Sequence, residues 1–69
     1  MRVTAELTGN LWKVVVTEGQ QVDADETLMI LESMKMEIPV TAPVSGTVTE
    51  IRVKEQEVVK EGQVLAVIE

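Results

Sequence analysis

The chain has 69 residues, enough for one small domain with a modest core and too few for a deep catalytic cleft. It contains no cysteine and no histidine, which excludes disulfides, thiolate or imidazole metal ligands, a cysteine nucleophile and a histidine base. Twelve acidic against six basic residues give a net charge of −6, and Trp12 is the only aromatic, so a nucleic-acid partner is not expected.

Met1 to Asn10 lack the apolar centre of a signal peptide, and no run approaches the roughly 20 apolar residues of a membrane helix. A soluble cytoplasmic monomer with no membrane partner is expected. Val, Ile and Thr recur at period two rather than 3.6, which predicts strands throughout. Val3, Ala5 and Leu7 alternate with Arg2, Thr4 and Glu6 in the first. Thr8-Gly9-Asn10 is a turn, and Leu11 to Thr17 is the second strand, with Trp12 expected to be a half-buried structural residue. Glu18 to Glu26 reads as a polar loop with Val22 turned inward. Thr27 to Glu32 is an apolar strand running into the centre of the chain. Glu37 to Thr41 leaves that centre, and Pro39, lacking an N–H, predicts a sheet edge or the gap between sheets there. Pro43 to Gly46 is a turn, Thr47 to Lys54 a strand, Glu55 to Gly62 a second polar loop with Val59 inward, and Gln63 to Glu69 the last strand. Met1 directly before the first strand and the chain end directly after the last lead to the expectation of a complete small protein, with one domain over residues 1–69.

The two halves repeat. Displaced by 37 positions, Val3-Thr4-Ala5 falls on Val40-Thr41-Ala42 without a gap, and Gly9 on Gly46, Val16 on Val53 and Glu18 on Glu55. Val22 likewise falls on Val59, Leu28 on Leu65 and Glu32 on Glu69. Like halves of one chain pack about a pseudo-twofold axis and close two small sheets over one core. Residues 33–36 join the halves and have no counterpart within the chain, so they should form an exposed hairpin tip away from the termini. Gln56 corresponds to Gly19, and Asp25 to Gly62. All four positions are expected to take positive φ, which leaves Gln56 strained.

At that tip lies Glu32-Ser33-Met34-Lys35-Met36-Glu37. One amine stands between two long apolar side chains, inside a bracket of two carboxylates. This arrangement suits a partner that docks on the methionines and modifies the lysine. With Ala42-Pro43-Val44-Ser45-Gly46-Thr47-Val48, the stretch resembles the biotinyl domains of biotin-dependent carboxylases over almost the whole chain. In size and pattern it is similar to the free-standing biotin/lipoyl attachment proteins of bacilli and to the carrier domains of pyruvate- and propionyl-type carboxylases. The resemblance implies an all-β flattened barrel, a barrel-sandwich hybrid of two four-stranded antiparallel sheets with quasi-twofold symmetry.

It also implies that Lys35 is the site of covalent biotin attachment by a biotin protein ligase. Met34, Met36, Glu32, Glu37 and Ser33 would be its recognition residues, Ser33 standing where the family usually has Ala. The tethered biotin would carry CO2 between biotin carboxylase and carboxyltransferase components, the domain itself being a carrier and not an enzyme. Amide formation would take the net charge from −6 to −7. The thumb loop of some acetyl-CoA carboxylase carriers has no counterpart here. The alternatives are a lipoyl or dual biotin/lipoyl carrier, with lipoate as the cofactor, and an unmodified lipoyl-like binding module. Lipoyl domains usually have Asp before and Ala after the lysine, where this chain has Met34 and Met36.

Overall fold

The alternating runs pair as antiparallel strands, and the computed structural model, which describes residues 1–69, contains no helix. The strands are β1 (Arg2–Thr4), β2 (Gly9–Val14), β3 (Gln21–Val22), β4 (Thr27–Ser33), β5 (Met36–Thr41), β6 (Gly46–Ile51), β7 (Val58–Val59) and β8 (Val64–Ile68). They form two four-stranded antiparallel sheets, ordered β1-β8-β6-β3 and β5-β4-β2-β7. Advancing the first four strands by one half-chain turns them into β5 to β8. The same operation turns one sheet order into the other. The expected flattened barrel with quasi-twofold symmetry is therefore the fold observed.

The symmetry extends to single hydrogen bonds. The Ala5 N–H donates to the Gln63 carbonyl at 2.9 Å, and the Ala42 N–H to the Glu26 carbonyl at 2.8 Å. The Glu55 carboxylate accepts from the Val14 N–H at 2.9 Å, and its repeat partner Glu18 accepts from the Ile51 N–H at 2.9 Å. These two glutamates thus recur because each satisfies a backbone donor at a strand end. The irregularities recur as well. Trp12 is the extra residue where the β2–β4 register slips, and Thr49 is its equivalent between β6 and β8.

All buried side chains are apolar, and they form one cluster that includes the repeat pairs Leu11 and Val48, Val22 and Val59, Leu28 and Leu65, and Leu31 and Ile68. Each such burial stabilises the fold by about 1.5–3 kcal/mol. Pro39 lies in β5, an edge strand, as its missing N–H requires.

Three expectations need correction. The first strand ends at Thr4 rather than Leu7, because Ala5 bonds to the loop residues Gly62 and Gln63. The strands predicted to reach Thr17 and Lys54 end at Val14 and Ile51, where the Glu55 and Glu18 caps take over. The two polar loops each contain a two-residue strand, β3 and β7, centred on the inward Val22 and Val59. The Met1 amino group donates to the Ile68 carbonyl, so the chain ends meet where the other half has its central hairpin.

Candidate functional site

β4 and β5 pair at six positions and end with Glu32 opposite Glu37 and Ser33 opposite Met36. Only Met34 and Lys35 remain as the loop. Their φ angles are 52° and 64°. Positive φ at both loop residues characterises the type I′ hairpin turn, whose twist matches that of its flanking strands. Asn-Gly fills that turn with least strain, whereas residues other than Gly, Asn and Asp cost roughly 1–2 kcal/mol each in this region. The six paired positions hold the turn against that cost. Strain at two adjacent non-glycine residues points to a task for their side chains.

The turn displays those side chains to solvent. Met34 is 91% exposed and Met36 64% exposed, so neither fills the core. Lys35 is exposed, and its amine has no hydrogen bond and no salt bridge; the one ion pair of the molecule joins Arg52 to Glu50 at 2.9 Å. Ser33 is half-buried at the base of the turn, and Glu32 and Glu37 are exposed as direct cross-strand partners. All six residues singled out in the sequence therefore belong to one hairpin end. Two carboxylates directly opposite disfavour the pairing, and this face is acidic around a single cation.

The base of the hairpin is braced from the side. A Cβ on Gly9 would lie 2.8 Å from the Glu32 carbonyl oxygen and 3.4 Å from the Ser33 Cβ. Close backbone approach, not φ, requires glycine there. No metal-ligating cluster exists in the molecule, and the lysine amine is the one reactive nitrogen the tip offers. An exposed amine on a rigid two-residue turn can be acylated by an enzyme that encloses it, and nothing in the fold crowds a group attached there.

Trp12 is 43% exposed, about half-buried as expected, and the register slip in β2 turns both Trp12 and Lys13 outward. Strict alternation, the signal available in the sequence, cannot reveal a slip of this kind.

Residues 2–68 match the model of the biotin/lipoyl family, described as biotin-requiring enzyme. The chain belongs to the biotin/lipoyl attachment family. It is 51% identical over 65 residues to the biotin/lipoyl attachment protein of Bacillus subtilis, covering 94% of this chain and 89% of that one. It is 46% identical over 66 residues to the biotinylated protein TB7.3 homolog of Mycobacterium leprae, covering 96% and 93%. Among solved structures, the urea carboxylase of Kluyveromyces lactis matches this attachment domain with a TM-score of 0.93 at 38% identity, over 99% of this chain and 6% of that chain. This member of the family is a biotin carrier domain, and its cofactor is covalent biotin.

Proposed function

We propose that Lys35 carries the biotin and that residues 1–69 act as one carrier domain serving a biotin-dependent carboxylase. The observation that carries this reading is the unpartnered Lys35 amine on a two-residue turn between the exposed Met34 and Met36. A biotin protein ligase supplies biotinyl-adenylate. The Lys35 Nζ loses a proton to the ligase or solvent and attacks the acyl carbonyl. The C–N bond forms as the acyl–phosphate bond breaks, and AMP leaves. Met34 and Met36 give the ligase adaptable apolar contacts, while Ser33, Glu32 and Glu37 set the shape and charge of the surface below them.

Once bound, biotin supplies a ureido nitrogen that takes up and releases a carboxyl group. The chain's own contribution is mechanical: a stiff hairpin holds the arm at one end of the domain and presents it to biotin carboxylase and carboxyltransferase components. Tethering raises the effective concentration of the carried group at both sites. The name of the urea carboxylase supports a carboxylase setting. Absence of cysteine and a net charge of −6 suit a cytoplasmic, soluble monomer.

The test is co-expression with a biotin ligase, followed by intact mass and streptavidin blotting of the wild type and Lys35→Arg. A biotinyl adduct on the wild type that Lys35→Arg abolishes is the expected result; an adduct surviving Lys35→Arg contradicts the assignment. The name of the Bacillus subtilis relative joins biotin with lipoyl. A lipoyl mass on Lys35 would identify the lipoyl or dual carrier.

A further inference from the structure

The two repeats differ in shape beside the hairpin that carries Lys35. Beside the hairpin base lies a depression of about 250 Å³ lined by Asn10, Leu11, Trp12, Glu32 and Gln56. The equivalent positions in the other half are Thr47, Val48, Thr49, Glu69 and Gly19, and no cavity is lined by that set. The end of the molecule bearing Lys35 therefore has an aromatic wall and two carboxamides that the opposite end lacks.

One of these residues is held there against backbone preference. Gln56 has φ 74°, and Gly19, its equivalent, has φ 92°. Glycine occupies this conformation without strain, so glutamine at this position costs backbone strain. Its backbone N–H donates to the Leu11 carbonyl at 2.7 Å, which fixes residue 56 against β2. The side chains of Asn10, Glu32 and Gln56 form no hydrogen bond within the protein. Neighbouring turn residues behave differently: Gln20, Glu26, Glu57 and Gln63 all turn back to accept from the backbone.

We propose that this depression is a resting subsite for the bicyclic ureido head group of the biotin carried on Lys35, an inference that rests on Lys35 being the modified residue. The polar groups that line the depression are of the types a ureido ring needs. Glu32 is an acceptor for a ureido N–H, and the Asn10 and Gln56 carboxamides are donors for the ureido carbonyl. Trp12 offers an apolar face to the fused rings and stands partly exposed beside them. The reach is sufficient. Glu32 lies in the second cross-strand pair below the two-residue turn that carries Lys35, three residues away and so at most about 10 Å at 3.3 Å per residue. The lysine stem and an acyl chain of similar length span that distance when folded back. Docking there is weak and reversible, because the site is open and the arm must leave it to enter a partner.

Trp12 is the only aromatic residue, so intrinsic fluorescence reports this depression alone. The experiment compares ¹H–¹⁵N spectra and tryptophan emission of the unmodified chain with those of the mass-verified biotinylated chain. The expected result is movement of the Trp12 indole N–H and of the Asn10 and Gln56 side-chain amides, with a change in emission. Gln56→Gly and Trp12→Leu should be biotinylated like the wild type yet lose the distant shifts. Gln56→Gly removes backbone strain, so its folding is secure. Shifts confined to residues 33–37, with unchanged emission, would overturn the subsite. If the ligase gives no adduct, the assignment of Lys35 fails. Biocytin, the biotin amide of lysine, is then titrated into the unmodified chain. Shifts at the same three side chains uphold the subsite, and none reject it.

Discussion

Gln56 and Gly19 share one backbone conformation, and only the glycine adopts it without strain. Replacing Gln56 by Gly should raise stability by a few tenths to about 1 kcal/mol, read as a higher urea midpoint. An unchanged or lower midpoint would mean that the glutamine side chain stabilises the folded state enough to offset the strain. This residue was legible in the sequence because the repeat set it opposite a glycine. The outward turn of Trp12 was not. It follows from a register slip between β2 and β4, which depends on cross-strand hydrogen bonds rather than on the pattern of apolar residues. The depression had no signal in the chain either: Glu32 and Gln56 are far in sequence from Asn10 and Trp12 and meet them only through the fold.

At the scale of elements, the β4–β5 hairpin combines a regular ladder with an irregular tip. Its ladder was readable as two apolar runs flanking the Met-Lys-Met stretch, and its tip as the joint of the repeat. The turn type was not readable, since Met-Lys is a poor sequence for positive φ at both positions. Substituting the tip as Met34→Asn with Lys35→Gly should therefore stabilise the hairpin by about 1 kcal/mol or more while abolishing modification. Equilibrium urea unfolding checks the first effect and streptavidin blotting the second. A fall in stability would indicate that Met34 and Lys35 gain contacts in the turn that outweigh their strain. The two-residue strands β3 and β7 escaped the sequence for a simpler reason: two residues cannot display a period. Only their inward valines were visible.

For the whole molecule, the pseudo-twofold axis makes a quantitative demand. Leu28 and Leu65 are equivalent, fully buried, and each sits at a matching register slip beside an edge strand. Leu28→Ala and Leu65→Ala should each cost about 2–5 kcal/mol, by similar amounts in urea unfolding. A domain of this size buries only about 60% of its unfolded surface, so either loss approaches its total stability. A large loss at one position and almost none at the other would show that the halves do not share one core. The symmetry was readable from the ungapped repeat because strand anchors and turn residues stayed in register. What it could not convey is where the halves diverge in shape, as they do beside the hairpin that has no twin.

Peptide mapping by tandem mass spectrometry decides whether this unduplicated tip carries the cofactor on Lys35. The chain has four lysines, Lys13, Lys35, Lys54 and Lys60, and all are exposed. After reaction with a biotin ligase, the biotinyl mass is predicted on the peptide containing Lys35 and on no other. A biotinyl mass on Lys13, Lys54 or Lys60, with Lys35 unmodified, would contradict the account.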